Sequence, residues 1–173
     1  MDVYILSNFE KLPEIFKLRV TAYEKSPFCR YVNQELFPNG YYDELDGWKG
    51  TIHWVIEHNN RIVASARAVI LYDINDLGEN LSSLKSAVAI PFAYCGRTVV
   101  HPDFRHTEAM RLLDKSLIRF LQEDSIIRSA VCYVSPERLR AVLRLGFKSI
   151  GSVKYNWGNN NYSDLEVLLW DKE

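Results

Sequence analysis

The sequence predicts one α/β domain over residues 1–173, built on a mixed, mostly antiparallel twisted sheet with helices on both faces. The elements follow the order β-α-irregular-β-β-β-α-β-α-β-β, which is neither all-parallel nor a plain meander. Asparagine-rich turns at 59–60 and 158–161 favour two antiparallel hairpins. The β-branched, largely apolar run at 127–134 is typical of a buried central strand.

The N-terminal segment is predicted to contain a strand, a helix and an aromatic region. Residues 2–6 favour a short strand, and Asn8 can cap the helix after it. Apolar residues then recur at helical spacing: Leu12, Ile15, Phe16, Val20 and Tyr23. Residues 26–50 are rich in aromatic side chains without a sustained period, so we expect an irregular or partly helical region there.

Three strands and a long connection come next. Residues 51–58 alternate apolar and polar side chains, and 61–72 form the return strand of their hairpin. Residues 73–90 form a polar connection whose length is uncommon unless it is functional or mobile, so we expect a lid. A further strand at 97–100 ends at Pro102.

Two helices and two strands complete the chain. Thr107 is the predicted cap of a helix with the apolar stripe Leu113, Leu117, Phe120 and Leu121. Ser135 caps a shorter helix, which Gly146 ends in the left-handed conformation. Residues 147–156 and 164–170 predict the last two strands.

The composition is typical of a soluble globular protein, with 47% hydrophobic and 25% charged residues. The net charge is −1 and the two signs are interspersed, so we expect no nucleic-acid or membrane partner. Cys29, Cys95 and Cys132 lack metal-ligand spacing, so we interpret them as buried thiols in a reducing compartment, without a metal. The N-terminus lacks a basic, apolar leader, so we expect a cytoplasmic protein; a homodimer is left open.

The segment 96–110 predicts a strand, a short basic loop and the start of a helix. A helix N-terminus leaves backbone N–H groups free and attracts anions. Arg105 lies just before it, where a guanidinium can bind a phosphate through two hydrogen bonds. These residues alone support a phosphate site and an ordinary strand–helix connection equally.

Two segments together carry a family resemblance. Val-His-Pro-Asp-Phe-Arg at 100–105 and Leu-Arg-Leu-Gly-Phe-Lys at 143–148 resemble the GNAT superfamily of N-acetyltransferases in order and approximate spacing. In that family the first segment binds the pyrophosphate of acetyl-coenzyme A (acetyl-CoA), and the second ends the helix beside the pantetheine arm. The resemblance implies the GNAT fold, whose two central strands, here around 97–100 and 130–133, splay apart to admit that arm.

The resemblance also implies a site for acetyl-CoA or another acyl-CoA as co-substrate. The implied cofactor-binding residues are Thr98, Val99, Val100, Arg105, His106, Thr107, Glu108, Ala109 and Met110. In this site the backbone of 98–100 would pair with pantetheine and donate to the oxyanion. Arg105 and the amides of 106–110 would hold the phosphates.

This sequence departs from the family's pattern at four positions. His106, Glu108 and Met110 replace common glycines, and a carboxylate at Glu108 would stabilise the empty helix terminus and repel phosphate. Val142 stands where many members carry the tyrosine that protonates the leaving thiolate. Acyl carrier protein, whose phosphopantetheine brings a single phosphodiester, is therefore an alternative donor and partner.

One branch of the superfamily uses acyl carrier protein, and three short matches resemble it. The branch comprises acyl-homoserine-lactone synthases and long-chain N-acyl amino acid synthases. The matches are Leu18-Arg19 with Tyr23, Glu44-Leu45-Asp46, and Ala66-Arg67-Ala68. Each match is short enough to occur by chance.

The general base and acid are not fixed by any motif. Glu57 is the candidate base, with His53, His101 and Glu44 as alternatives. Tyr133 is the candidate acid, and Tyr94 lies on the facing strand. A buried aromatic with a hydrogen-bonded hydroxyl is the alternative interpretation of both tyrosines.

Arg67, Glu44 and Tyr94 are the candidate substrate-binding residues. Arg67 lies on a mostly apolar strand face and needs a counter-charge, for which Glu44 or Asp46 is the expected partner. Their ion pair is either structural or binds an acceptor carboxylate.

The sequence therefore predicts an N-acyltransferase, in the first instance acetyl-CoA-dependent, whose amine acceptor attacks the thioester directly. The alternatives are a long-chain N-acyltransferase that uses acyl carrier protein, and a non-catalytic domain that binds an acyl ligand.

Overall fold

The structure, a computed structural model, describes residues 1–78 and 81–172, without the side chains of residues 82 and 83. The strands are β1 (Tyr4–Ile5), β2 (Thr51–His58), β3 (Arg61–Leu71), β4 (Phe92–Val100), β5 (Ser129–Val134), β6 (Lys148–Gly158) and β7 (Asn161–Asp171). The α-helices are α1 (Leu12–Glu24), α2 (Ala109–Glu123) and α3 (Pro136–Leu143). Short 3-10 helices cover Phe9–Lys11, Glu44–Gly47, Ile74–Leu77, Ser82–Ala87 and Pro102–Phe104.

The strands form one sheet in the order β1-β2-β3-β4-β5-β7-β6. β4 and β5 pair in parallel, from Phe92 with Ser129 to Cys95 with Cys132. β1 with β2, β5 with β7, and β6 with β7 pair antiparallel. The predicted mixed, mostly antiparallel sheet with helices is confirmed, whereas the predicted splaying of the two central strands stays a prediction.

The two hairpin turns follow the predicted asparagines. Asn59 and Asn60 have φ angles of 50° and 60°, and Asn159 and Asn160 have φ angles of 51° and 59°. Two successive residues at positive φ match the right-handed twist of the flanking strands, and asparagine tolerates this conformation better than most residues. The local sequence therefore sets both turns.

The chain divides into two compact units, Met1–Arg67 with Arg97–Leu117 and Ala68–Gly96 with Ile118–Glu173. In the first unit, α1 packs on the sheet through an apolar cluster of Leu6, Ile15, Leu18, Ala22, Val55, Ile62 and Val99. Asn8 caps the short 3-10 helix before α1 by accepting a hydrogen bond from the Glu10 amide. The single domain over 1–173 stays a prediction.

The aromatic segment 26–50 of the first unit is irregular with one 3-10 turn, as predicted. It closes against α1, because the Tyr41 amide donates to the Phe16 carbonyl at 3.0 Å. Gly40 has a φ of +107°, and a Cβ atom at this position would lie 2.5 Å from the Phe16 Cβ. Only glycine permits both that conformation and that approach.

The second unit contains α3 and the β6–β7 hairpin. Ser135 occupies the predicted N-cap position of α3, but its side chain makes no capping hydrogen bond; its carbonyl accepts from the amides of Arg138 and Leu139. Gly146 has the predicted left-handed conformation, with a φ of +96°, but the helix that it was expected to end already stops at Leu143. The connection at 73–90 carries two 3-10 helices, and its residues 79 and 80 lie outside the described part; its role as a lid stays a prediction.

The three cysteines are free thiols. Cys95 and Cys132 are buried as predicted, but Cys29 is exposed, because it lies in the irregular region and not in a strand. Within residues 1–78 and 81–172, no helix is both long enough and apolar enough to cross a membrane.

Candidate functional site

The predicted strand, loop and helix of the carrier site all form in the first unit. β4 ends at Val100, a 3-10 turn covers Pro102–Phe104, and α2 begins at Ala109. The Thr107 hydroxyl accepts a hydrogen bond from the Ala109 amide at 3.3 Å and donates to the Phe104 carbonyl at 2.6 Å. The predicted helix start at Thr107 is therefore confirmed to within two residues.

Arg105, the predicted phosphate ligand, binds the end of α1 in this structure. Its Nη1 donates to the Lys25 carbonyl and its Nη2 to the Ala22 carbonyl, both at 2.5 Å. The last carbonyls of a helix lack intrahelical partners, so a guanidinium there satisfies two of them. A phosphate bound by Arg105 would compete with these bonds.

Glu108 lies directly before α2, where a carboxylate interacts favourably with the helix dipole. It forms an ion pair with Arg111 one turn later, at 2.5 Å, and both side chains are about half exposed. Arg111 therefore offsets part of the negative charge at the predicted phosphate site. His106 is exposed, Ala109 is buried and Met110 is half-buried.

A chain of alternating charges, buried except at the partly exposed Asp43, lies in the first unit. Arg19 on α1 and Asp46 on the 3-10 turn are joined by two hydrogen bonds of 2.7 and 2.8 Å. Arg67 on β3 contacts Asp46 at 2.9 Å and Asp43 through bonds of 2.6 and 3.1 Å. Arg97 on β4 donates to Asp43 at 2.6 Å. The ion network is thus Arg19–Asp46–Arg67–Asp43–Arg97.

The two aspartates of the ion network also cap the 3-10 turn that carries them. The Asp43 side chain accepts from the Leu45 amide, and the Asp46 side chain accepts from the Asp43 amide at 3.0 Å. Burial alone would raise the pKa of both carboxyls, but the hydrogen bonds and charges of the arginines lower the pKa of each below its ordinary value. Both carboxylates are therefore ionised.

The ion network bears on two predicted substrate-binding residues. Arg67 is 1% exposed and does pair with Asp46, one of its two expected partners. Glu44, the other expected partner, is exposed. Asp43 forms the ion pair with Arg67 that was expected of Glu44. The sequence reasoning missed Asp43, although the spacing of Asp43 and Asp46 is that of a capping box.

His53 extends the ion network into β2. Its Nε2 lies 3.1 Å from the Asp46 carbonyl, which can only accept, so Nε2 carries the proton and Nδ1 has a free lone pair. Burial lowers the pKa of His53 despite this hydrogen bond, so the ring is neutral. His53 is 1% exposed and supports the 3-10 turn through its hydrogen bond to the Asp46 carbonyl.

Arg97 adopts a left-handed backbone conformation within β4, and this position is called the kink below. Its φ is +55°, a conformation that costs a non-glycine residue about 1–3 kcal/mol. Its guanidinium lies 4.4 Å from the centre of the Tyr41 ring and is hydrogen-bonded to Asp43. A charge-assisted bond contributes about 1.5–3 kcal/mol, which is enough to offset the strain. Nothing in the sequence pattern predicted this contact.

Glu57, the predicted base, lies at the end of β2. It forms an ion pair with Lys11, and hydrogen bonds from Lys11 and Tyr4 lower the pKa of Glu57. Burial and the contact with Glu57 raise the pKa of Tyr4 to about 12. Glu57 therefore fastens the N-terminal segment to the sheet and is a weak base in this environment.

The predicted acid belongs to the second unit. Tyr133 on β5 and Tyr94 on β4 have ring centres 5.2 Å apart, and Tyr155 on β6 lies 5.8 Å from Tyr133. Trp157 continues the row at 5.0 Å and donates to the Ser163 hydroxyl at 2.7 Å. The roles of Tyr133 and Tyr94 in the reaction stay predictions.

The sequence model of the Acetyltransferase (GNAT) family matches residues 12–147, which include α1, the ion network, the carrier-site loop and Gly146. The chain belongs to the GNAT acetyltransferase family. Membership makes it an N-acyltransferase by class, with an acyl thioester as co-substrate and an amine as acceptor. A search of curated protein sequences found no match.

Solved structures share the GNAT fold over almost the whole chain. An acyl-CoA N-acyltransferase from Pseudomonas aeruginosa is 12% identical, with a TM-score of 0.67 over 98% of this chain and 99% of that one. The N-acyl amino acid synthase FeeM from uncultured soil microbes is 11% identical, with a TM-score of 0.69 over 98% and 90%. ElaA from Escherichia coli is 12% identical, with a TM-score of 0.65 over 99% and 100%. At these identities the likeness shows the fold alone.

Proposed function

We propose that this GNAT protein transfers an acyl group from a phosphopantetheine thioester to a primary amine by direct attack. The observation that carries the proposal is the positive φ of Arg97, which lies within β4 directly before Thr98–Val100 and the loop into α2. A strand residue at positive φ breaks the regular ladder and leaves neighbouring backbone groups available to a ligand.

In the proposed reaction the amine nitrogen attacks the thioester carbonyl carbon. The C–N bond forms, the negative charge on the carbonyl oxygen is stabilised by backbone N–H groups of Thr98–Val100, and the C–S bond then breaks. The amine loses one proton to a base, and the departing thiolate takes up one proton. The products are an amide and the free thiol of the carrier.

Glu57 and Tyr133 are the proposed base and acid. Glu57 is ionised at neutral pH, but the bond from Lys11 that lowers its pKa also weakens it as a base. Water is the alternative proton acceptor. Glu57→Gln separates these cases, because it removes the proton acceptor while keeping a side chain of the same shape.

Acetyl-CoA is the first candidate donor. It is supported by the family match and by the loop between β4 and α2, where Arg111 offsets the charge of Glu108. Arg105 and the amides of 106–110 are the proposed phosphate ligands. Arg105 would exchange its bonds to the Ala22 and Lys25 carbonyls for bonds to phosphate.

A long-chain acyl group on acyl carrier protein is the second candidate donor. It is favoured by the ion network, because Arg19, Asp46 and Arg67 come from the three short matches to the N-acyl amino acid synthase branch and are joined directly. FeeM, which has the same fold, is an N-acyl amino acid synthase. An amino acid is then the proposed acceptor.

The proposed acceptor-binding residues are Glu44, Tyr94 and Arg67. Glu44 is exposed, so it is available to an acceptor from solvent. Arg67 is buried, so it would act by fixing Asp43. Tyr94 stays a proposal because it belongs to the other compact unit.

The experiment is a donor comparison with purified protein. Thiol release is followed with acetyl-CoA, dodecanoyl-CoA and dodecanoyl acyl carrier protein, each with a mixture of amino acids and polyamines. Glu57→Gln is compared with Glu123→Gln, an exposed carboxylate on α2 as the matched control. Amine-dependent release from any donor supports acyl transfer, and the fastest donor identifies the carrier. Binding of a donor without release would support a non-catalytic acyl-ligand-binding domain.

A further inference from the structure

The backbone conformation of Arg97 is unusual for its residue type. Among the non-glycine residues at 1–78 and 81–172, positive φ angles occur at four asparagines of the hairpin turns and at Arg97. Asparagine adopts this conformation readily, whereas in most other non-glycine residues the Cβ atom clashes with the backbone there. A position that favours glycine thus carries an arginine within a strand.

The neighbouring Gly96 does not relieve this strain. Its φ lies outside the left-handed region, and a Cβ atom added to it would meet nothing within 4 Å. The backbone at position 96 therefore does not require glycine, whereas the backbone at position 97 favours glycine but carries arginine. The side chain of Arg97 must supply an interaction that holds the backbone in this conformation.

Neighbouring groups hold the Arg97 side chain, which is 7% exposed. Among the contacts of this side chain, Asp43 accepts its hydrogen bond at 2.6 Å and the Tyr41 ring lies 4.4 Å from the guanidinium. A flat guanidinium suits a carboxylate and an aromatic face together, which an ammonium group does not.

Asp43 is itself fixed from two directions. Arg67 donates two hydrogen bonds to its carboxylate, and the capping box with Asp46 fixes its backbone. Arg19 then ties Asp46 to α1. The kink is therefore anchored through the ion network to the core of the first unit.

We infer that Arg97 is a positioning residue of the acyl transfer, whose guanidinium, held by Asp43 and Tyr41, fixes the kink in β4 next to Thr98–Val100. The inference rests on the proposed function, in which the backbone of Thr98–Val100 holds the carrier and stabilises the oxyanion. The side chain does not touch the reacting atoms; it sets the backbone geometry of the groups that do.

The test compares Arg97→Ala with Arg97→Gly. Alanine loses the anchor and keeps the strain, whereas glycine loses the anchor but adopts positive φ without strain. We expect Arg97→Ala to lower kcat by about tenfold to a hundredfold, and Arg97→Gly to regain about tenfold of that loss. The kcat should change more than the KM for the acyl donor, because the oxyanion forms only in the transition state.

Two further variants and one further measurement complete the test. Arg97→Lys keeps the charge but loses the flat stacking on Tyr41, so its kcat should lie between those of wild type and Arg97→Ala. Gly96→Ala is the matched control and should leave kcat and exchange unchanged. Hydrogen exchange of the amides at 97–100 should accelerate in Arg97→Ala and not in Gly96→Ala. If Arg97→Ala does not fold, the kcat values of Arg97→Gly and Arg97→Lys can still be compared with that of wild type.

The inference is overturned if Arg97→Gly is no more active than Arg97→Ala while exchange at 97–100 stays at the wild-type rate. It is also overturned if only the KM rises, because the oxyanion contacts of Thr98–Val100 would then not depend on Arg97. If wild type turns over neither acetyl-CoA nor dodecanoyl acyl carrier protein, the proposed function fails. Exchange at 97–100 would then still show whether the side chain holds the kink.

Discussion

Arg19 and Asp46 are joined by two parallel hydrogen bonds, Nη1 to Oδ2 at 2.8 Å and Nη2 to Oδ1 at 2.7 Å, although both side chains are almost completely buried. A buried charge costs several kcal/mol unless it is paired, so each of the two requires the other. The same carboxylate also contacts Arg67. Removing the Asp46 carboxylate therefore deprives the guanidinium groups of Arg19 and Arg67 of a charged partner.

We predict that Asp46→Asn lowers the free energy of unfolding by about 3–5 kcal/mol, the usual cost of breaking a buried pair on one side. Urea denaturation followed by circular dichroism measures it. Arg119→Ala is the matched control: Arg119 pairs with Glu123 at 2.9 Å, both largely exposed, so its loss should cost less than about 1 kcal/mol. Equal losses in the two variants would contradict the importance of burial.

The stability of the protein should fall as the pH drops through the range where histidine titrates. Burial lowers the pKa of His53 in the folded state, whereas in the unfolded chain it is about 6.5. The unfolded state then binds more protons, so stability is present above about pH 6.5 and is lost as the pH falls. Unfolding midpoints between about pH 8 and pH 5.5 measure this. The glutamine amide in His53→Gln can still donate to the Asp46 carbonyl, but the unfolding midpoint of this variant should change less with pH. An unchanged dependence of the midpoint on pH would rule His53 out as the cause.

Arg105→Ala should affect both stability and donor binding. Losing the hydrogen bonds to the Ala22 and Lys25 carbonyls should cost about 1–3 kcal/mol, and losing the phosphate ligand should weaken acetyl-CoA binding in calorimetry. Arg140→Ala, an exposed arginine on α3, is the control for lost charge. Unchanged stability in Arg105→Ala would show that the contact with α1 contributes little.

Glu108→Gln should strengthen acetyl-CoA binding. The substitution removes a negative charge directly before α2, where phosphate is proposed to bind, and we expect affinity to rise about two- to fivefold at low salt. The gain should shrink as salt screens the charge. Glu123→Gln, at the other end of α2, should not change the affinity. Weaker binding by Glu108→Gln would place the phosphates elsewhere.

Gly40→Ala tests how the aromatic segment is fixed to α1. The added Cβ would lie 2.5 Å from the Phe16 Cβ, at a φ of +107°, so we expect a loss of about 3 kcal/mol in unfolding free energy. Gly47→Ala is the control, because its added Cβ would meet nothing within 4 Å and its φ lies outside the left-handed region. Similar unfolding midpoints for the two variants would contradict this close approach.

The fold could be predicted because its signals are local. The Asn59-Asn60 turn joins strands that alternate in sequence, and Gly146 takes its left-handed conformation in the turn that follows α3. Each signal lies within about ten residues of the element it sets. The expectation of a buried Cys29 failed because the irregular region gives no local pattern that would place its side chain.

The site could be predicted only in part because its contacts are distant in sequence. The need of Arg67 for a carboxylate followed from its apolar strand face, which led correctly to Asp46. Arg105 binds carbonyls more than 75 residues away, and no residue type at those positions signals this. The kink at Arg97 contradicts the local preference of its residue type, so only the tertiary contacts explain it.

The most direct test of the central claim counts products of one reaction. Wild-type protein is incubated with the preferred acyl donor and an amine mixture, and mass spectrometry quantifies the amide, the free thiol of the carrier and the intact protein. We predict equal amounts of amide and thiol, with no acyl group on the protein, because the amine attacks the thioester directly. Thiol release without amide would indicate a hydrolase, an acylated protein would indicate a covalent intermediate, and either result would contradict direct acyl transfer to the amine.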